Sequence, residues 1–171
     1  MCIRDREVID DFFDQIPEAY DFIQGTLEEL ADTKFTETVL GNRRWFWDVM
    51  DYDLKEQHLA EARARHRDLC WCNACKLSRE GERAAVNLRI QGSAADIVRR
   101  AMIKCDQDPE LKRLGVRMLL QVHDELLFEI PDENLEEALP IIQYWMEHPG
   151  INLRVPLRAP PGTGRNWSQA K

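Results

Sequence analysis

The chain lacks any long uninterrupted hydrophobic segment. A helix that crosses a membrane needs about 20 consecutive apolar residues, and no apolar run in the sequence approaches that length. Residues 1–6 also lack the apolar stretch of a secretory signal peptide. These absences predict a soluble protein with a cytoplasmic location.

Internal repeats and low-complexity tracts are also absent from the sequence, which argues against a repeat array or a compositionally biased chain. With 44% hydrophobic and 32% charged residues, the sequence predicts a globular protein of one domain, or a piece of a larger one. Residues 1–6 match no pattern in the rest of the chain and resemble a translated adapter sequence, so we expect them to be the non-native end of a truncated gene.

The net charge of −8 is unevenly distributed. Residues 34–117 carry 17 basic and 13 acidic side chains, whereas residues 1–33 carry 2 and 10, and residues 118–171 carry 4 and 8. A polyanion contacts a local patch, because charges beyond a Debye length of about 8–10 Å are largely screened. The middle segment could therefore bind DNA, although a mixed-charge surface is more often simply solvated.

Apolar periodicity predicts helices in the first part of the chain. A helical stripe runs from residue 8 to residue 30, with Pro17 inside it. Because proline fits the first turn of a helix, we predict one helix ending near Gln15 and a second beginning at Pro17. Residues 34–40 and 43–49 are rich in Thr, Val, Trp and Phe and flank Gly41-Asn42, which predicts a β-hairpin.

The rest of the pattern indicates an α+β protein. Residues 51–79 are polar and are interpreted as an insertion. Helices are predicted over residues 80–104 and 132–147, strands over 118–122 and 126–130, and a last short strand over 153–157. The predicted fold is an antiparallel sheet with packed helices, preceded by a helical segment and a hairpin.

The two apolar strands enclose a polar turn, His123-Asp124-Glu125. Side chains alternate along a strand, so Asp124 and Glu125 should point to different sides. A single exposed carboxylate such as Asp124 can hold Mg²⁺, which prefers oxygen ligands. From spacing alone, an ordinary polar hairpin turn remains the alternative.

Several segments occur in the order found in one enzyme family. They read FFDQIP at 12–17, ETVLGNRR at 37–44, ERAAVNLRIQGSAAD at 82–96, VHDEL at 122–126, VPL at 155–157 and GRNW at 164–167. In this order they resemble the fingers helix, fingers hairpin, long palm helix, motif C, terminal strand and tail of family A DNA polymerases. The resemblance covers nearly all of the chain except residues 1–6 and about 51–79. It implies the C-terminal part of a bacterial or phage polymerase, fingers-like over 7–50 and palm-like over 80–171.

The resemblance implies roles for individual residues. Enzymes of the family copy DNA with two Mg²⁺ ions bridged by two aspartates, and Asp124 matches the motif C aspartate. Glu125 would lie nearby in support, and His123 against the primer terminus. Primer–template DNA and deoxynucleoside triphosphates are the implied partners.

Arg83, Asn87 and Gln91 are spaced to share one face of a helix. All three can donate hydrogen bonds to the minor-groove acceptors that every correct base pair presents, and the resemblance implies such a contact. Three polar residues on a helix are, however, often just solvent-facing. Arg43 and Arg44 match the hairpin arginines of the family and are expected to contact phosphate or to pack.

Two motifs of the family are missing from the chain. Motif A, with the other metal-binding aspartate, and motif B, with a nucleotide-binding lysine, precede residue 7 in the family. We therefore expect the missing N-terminal polymerase region to be a partner, and the isolated chain to be inactive.

Three cysteines and a histidine lie close together in the predicted insertion: His66, Cys70, Cys72 and Cys75. Thiolates and imidazole suit Zn²⁺, so these residues could hold a structural zinc, with free surface cysteines as the alternative. A zinc-stapled DNA-binding module that kept a palm scaffold without chemistry is the alternative function.

Overall fold

The computed structural model describes residues 3–49, 51–65, 70 and 72–170. They form two compact units, Met1–Ser93 and Ala94–Lys171. Among the described residues, no helix has the length and apolar character needed to cross a membrane.

The first unit contains four α-helices, a hairpin and a π-helical turn among its described residues. They are α1 Ile3–Gln15, α2 Pro17–Thr33, β1 Phe35–Glu37, β2 Arg43–Trp45, α3 Tyr52–Ala64, α4 Asn73–Asn87 and the π turn Leu88–Gly92. The second unit begins with α5, Ser93–Gln107, whose first residue is the last of the first unit. It contains α6 Pro109–Arg113, β3 Arg117–Val122, β4 Glu125–Glu129, a 3₁₀ turn Asp132–Asn134 and α7 Leu135–Glu147. Mixed helices and small antiparallel sheets confirm the predicted α+β class.

The break between α1 and α2 lies where Pro17 predicted it. Proline occupies the first position of α2, where its missing N–H has no helical partner to lose. The other end of α2 is closed by Lys34, whose left-handed φ of 61° lets its N–H donate to the Leu30 carbonyl at 2.9 Å. Leu30 is fully buried and forms one small core with Phe46, Val49 and Ala85, so α2, the segment that follows β2 and α4 pack together.

The predicted hairpin is present but shorter than expected. Phe35 pairs with Trp45 and Glu37 with Arg43, so residues 38–42 form the connection instead of Gly41-Asn42 alone. Gly41 has a φ of 79° and donates its N–H to the Thr38 carbonyl. This turn ends the ladder early, because the chain must already reverse at residue 38.

The helix predicted over residues 80–104 differs from the observed structure in two ways. The observed helical stretch begins earlier, at Asn73, and it is interrupted by the π turn Leu88–Gly92. Ser93 Oγ donates back to the Arg89 carbonyl and accepts from the Val39 N–H at 2.9 Å. At Gly92 the hairpin comes so close that an added Cβ would lie 2.9 Å from Thr38 Cγ2. This helix-to-hairpin contact accompanies the π turn, and apolar periodicity carries no signal for it.

The second unit packs a two-stranded ribbon against helices. Its buried core comprises Cys105, Leu111, Leu114, Ala138 and Ile142, and Met118 and Phe128 of the ribbon pack against it. Strands β3 and β4 are antiparallel, with a bulge between Met118 and Leu120. Leu119 and Leu120 are exposed, so part of the ribbon's apolar surface is left uncovered within this chain.

The short strand predicted over residues 153–157 is wrong. These residues carry no strand, and Val155 is 68% exposed. A strand needs a hydrogen-bonded neighbour, and in the described part of the chain β3 pairs only with β4. Pro156 also lacks the N–H that a ladder would use.

Candidate functional site

The turn between β3 and β4 presents the acidic residues predicted from the sequence. Val122 pairs with Glu125 as the last rung of the ladder, so His123 and Asp124 alone form a two-residue turn. His123 has a φ of 54°, a left-handed backbone that primed hairpin turns require and that usually selects glycine or asparagine. A histidine held there stores roughly 1 kcal/mol of backbone strain, and such strain is common at functional sites.

The two turn residues, His123 and Asp124, and Glu125 at the start of β4 are all exposed. The Gln121 Nε2 donates to the His123 carbonyl at 3.1 Å and so supports the turn from β3. An exposed carboxylate on a short, ribbon-supported turn is accessible to a cation and to a polymeric ligand. The donor chemistry of Asp124 and Glu125, oxygen only, fits a hard divalent ion.

The predicted helical face is only partly a regular helix. Arg83 and Asn87 are one turn apart on α4, and Gln91 lies in the π turn; all three are exposed. Asn87 and Gln91 nevertheless line one open cleft of about 400 Å³, together with Arg44 of the hairpin. The structure thus brings Arg44, Asn87 and Gln91 together, although they come from separate elements.

The two hairpin arginines have partners within the hairpin. Arg43 pairs with Glu37 at 3.0 Å and lies over the Phe35 ring, 4.4 Å from its centroid. The Arg44 guanidinium lies 5.2 Å from the centroid of the Phe46 ring. Both remain exposed, so packing contacts are present and the charged ends stay accessible.

A third arginine, Arg89, holds the π turn to the rest of the first unit. Its Nε donates to Thr36 Oγ1 at 2.9 Å and its Nη1 to Thr26 Oγ1 at 3.2 Å, and its Nη2 pairs with Glu29. Thr26 and Thr36 are each 1% exposed. Arg89 is thus a structural residue, in contrast to the exposed Arg83 of the same helical stretch.

A separate cluster of sulfur and nitrogen atoms lies between α3 and the start of α4. The Nδ1 of His58 is 3.4 Å from the sulfur of Cys72, 3.4 Å from that of Cys75 and 3.8 Å from that of Cys70. The four ligand atoms all lie within 4.8 Å of one another, a group that could hold a metal ion. His66, predicted as the fourth ligand, lies outside the described residues.

The three thiols of this cluster differ in acidity. The pKa of Cys70 is lowered to about 6, first by a hydrogen bond from the Cys72 backbone and then by the His58 ring. Burial, followed by hydrogen bonds with Cys72 and Cys70, raises the pKa of the Cys75 thiol to about 12. Hydrogen bonds with Cys70 and Cys72 raise the pKa of His58. The lowered pKa favours the thiolate form of Cys70, whose sulfur lies 3.8 Å from the His58 ring nitrogen.

His58 is the residue that sequence reasoning missed. It lies in the middle of α3, 12 residues before Cys70, and spacing alone favoured the nearer His66. Only the folding of α3 back toward the start of α4 brings its ring to the thiols. The one usable signal was that two histidines, not one, precede the cysteines.

Comparison with known proteins identifies the family. The sequence model of DNA polymerase family A matches residues 4–169, nearly the whole chain. The chain belongs to this family. It is 37% identical to the DNA polymerase I of Rhizobium leguminosarum, covering 96% of this chain and 15% of that protein. It is 36% identical to the thermostable DNA polymerase I of Thermus filiformis, covering 95% and 17%.

A solved structure shows the same relationship for the fold. The POL domain of Pol1 from M. smegmatis, in complex with DNA primer-template and dNTP, matches with a TM-score of 0.79 and 32% identity. The match covers 99% of this chain and 26% of that one. The family A resemblance predicted from the motifs is confirmed, and this chain spans about one-sixth of the length of these two curated relatives.

Proposed function

We propose that this chain is the C-terminal part of a DNA-directed DNA polymerase and contributes one metal-binding carboxylate, Asp124, to its active site. The observation that carries the proposal is the position of Asp124: exposed, on a two-residue turn with a strained His123, in a chain that belongs to family A. The comparison structure is bound to primer-template DNA and dNTP, which supports the same partners here. Such a polymerase would act in the cytoplasm.

The donor set at the turn fits Mg²⁺, because carboxylate oxygens are the ligands this ion prefers. Asp124 would hold it together with an aspartate from the missing N-terminal region, and Glu125 would support that site. Two bound ions would lower the barrier to attack by the primer 3′-hydroxyl and to departure of pyrophosphate. His123 would position the primer terminus.

Arg83, Asn87 and Gln91 are proposed to contact the minor groove of the primer–template duplex. Their side chains are exposed, and each can donate a hydrogen bond. Purine N3 and pyrimidine O2 accept such bonds in the minor groove of every correct base pair. Donors at these positions therefore test the shape of a base pair without reading its identity, as template copying requires.

The chain is proposed to be inactive alone. One aspartate cannot assemble a two-metal site, and neither motif A nor motif B is found in the sequence. The exposed Leu119 and Leu120 support this view, since they leave apolar surface of the ribbon in solvent that a further polymerase segment could cover. The N-terminal polymerase region would supply both the missing motifs and that cover.

Primer extension tests this proposal with two proteins. The isolated chain should incorporate no nucleotide, whereas the same reading frame extended upstream through motifs A and B should extend a primer. Incorporation by the isolated chain would refute the predicted incompleteness. An extended protein that binds primer–template DNA but incorporates nothing would instead support the alternative, a DNA-binding module without chemistry.

Atomic substitution in the DNA tests the minor-groove contact. Replacing the primer-terminal purine by its 3-deaza analogue removes the N3 acceptor. In the extended protein this should slow incorporation about tenfold to a hundredfold, the value of one lost hydrogen bond to a charged donor. In Arg83→Ala the same DNA change should add little, because the partner is already gone. Equal sensitivity in both proteins would exclude Arg83 as the donor.

A further inference from the structure

We propose that His58, Cys70, Cys72 and Cys75 form a structural zinc site that joins α3 to the start of α4. The proposal is independent of DNA synthesis, because all four residues lie in the first unit, outside the polymerase motifs.

The nitrogen–sulfur distances of the cluster match those of a tetrahedral site, and all four ligand atoms lie within 4.8 Å of one another. With Zn–S near 2.3 Å and Zn–N near 2.0–2.1 Å, a tetrahedron places nitrogen and sulfur ligands about 3.6 Å apart. The distances from His58 Nδ1 to the three sulfurs are 3.4, 3.4 and 3.8 Å, on both sides of that value. Ordinary side-chain packing rarely brings four such atoms to one point.

The ligand chemistry selects zinc over harder ions. Three thiolates and one imidazole make a soft set, and the set already has the four ligands that a closed structural site needs. Cys70, Cys72 and Cys75 are all free thiols in the structure, so none is committed to a disulfide within the described residues.

The local fold needs such a link. Among the described side chains of α3, only Ala62 is buried, so this helix has almost no core of its own. Its described ties to α4 include the ion pair between Lys55 and Glu82 at 2.8 Å. Arg79 also donates to the Cys70 carbonyl at 2.9 Å. A bound ion would add a strong covalent-like link where apolar packing is thin.

The site would also fix the beginning of α4. Cys72 is the N-cap of this helix, its sulfur accepting from the Cys75 N–H at 3.4 Å, and Cys75 lies in the first turn. A helix N-terminus favours a nearby thiolate. Ligation of Cys70, Cys72 and Cys75 would hold the segment that leads into α4 together with the first turn of that helix. His58 would anchor this segment to α3.

Metal analysis of the reduced 171-residue chain tests the proposal. Protein expressed with zinc and dialysed against a weak chelator should retain about one equivalent, as a closed four-ligand site does. His58→Ala and Cys75→Ser should retain less than about a tenth of an equivalent under the same conditions. The matched controls, His66→Ala and Cys105→Ala, should retain the metal, since Cys105 lies in the core of the second unit.

Cobalt gives a readout that does not depend on comparing variants. Co²⁺ added to the apo wild-type chain should produce the thiolate charge-transfer and visible bands of a tetrahedral S₃N site, and zinc should abolish them. Loss of metal in His66→Ala with retention in His58→Ala would overturn the assignment of His58. A wild-type chain with less than a tenth of an equivalent of zinc and no cobalt bands would overturn the site altogether.

Discussion

Replacing Arg89 by methionine should destabilise the first unit far more than replacing any exposed arginine of the same helical stretch. Arg89→Met keeps most of the aliphatic stem but removes the donors to Thr26, Thr36 and Glu29. Methionine cannot donate a hydrogen bond, so the two buried hydroxyls lose a charged partner. The π turn loses its link to α2 and β1 at the same time.

The size of the effect follows from the burial of these partners. Thr26 and Thr36 are each 1% exposed, and a hydrogen bond to a charged group contributes about 1.5–3 kcal/mol. The ion pair with Glu29 adds less than about 1 kcal/mol, because the Glu29 side chain is 41% exposed and solvent screens it. Together these terms give a loss of about 3 kcal/mol, with Thr26 retaining its bond to the Phe22 carbonyl.

Urea denaturation followed by far-ultraviolet circular dichroism measures the effect. With a denaturant slope of about 2 kcal/mol/M, the midpoint of Arg89→Met should fall by about 1.5 M. The control is Arg83→Met, an exposed residue of α4, whose free energy of unfolding should change by no more than about 0.5 kcal/mol. Equal midpoints for the two variants would refute the structural role given to Arg89.

Two further predictions concern local stability. Asp108 caps α6 by accepting from the Glu110 and Leu111 N–H groups, and it also accepts from Trp145 Nε1 at 2.8 Å. Burial alone would raise the pKa of this carboxyl, but the three hydrogen bonds outweigh burial and lower the pKa. This carboxyl therefore stabilises the fold above its unfolded pKa of about 3.9 and loses that contribution as pH falls through the lowered value. Asp108→Ala should lower the free energy of unfolding by about 2 kcal/mol near pH 7 and by less at about pH 2. Thermal melts that show the same loss of stability at both pH values would contradict the hydrogen-bond account. Gly25→Ala should stabilise α2 by up to about 1 kcal/mol, because nothing lies within 4 Å of an added Cβ. Gly81→Ala should instead destabilise α4, because its added Cβ would lie 2.6 Å from Val49 Cγ2. If both variants melted at a higher temperature than the parent, helix propensity would decide both positions and this steric argument would be wrong.

Local chemistry was enough to predict much of the fold. Pro17 marks the boundary between α1 and α2 because a missing N–H is tolerated best in the first turn of a helix, where it has no helical partner. The ribbon of β3 and β4 is predicted because two short apolar runs on either side of a polar turn are a local signal for paired strands. The exposed Asp124 follows from that ribbon, since a two-residue turn leaves little room for burial.

Long-range contacts explain what the sequence could not predict. The π turn accompanies the approach of Thr38 to Gly92 and the bonds of Arg89, none of which leaves a periodic signal. His58 reaches the cysteines only because α3 folds back on α4. The strand expected over residues 153–157 depends on a neighbour that the described part of this chain does not offer.

The rate of single nucleotide incorporation by Asp124→Asn, in the protein extended upstream through motif A, tests the central proposal most directly. Asparagine keeps the size of the side chain and removes the charge that would hold Mg²⁺. The rate should fall about a thousandfold or more, since a metal ligand contributes several kcal/mol to transition-state stabilisation. The control Asp132→Asn, an exposed carboxylate outside the turn, should keep the parent rate. An Asp124→Asn enzyme that incorporates nucleotide as fast as its parent would contradict the assignment of this turn to the polymerase active site.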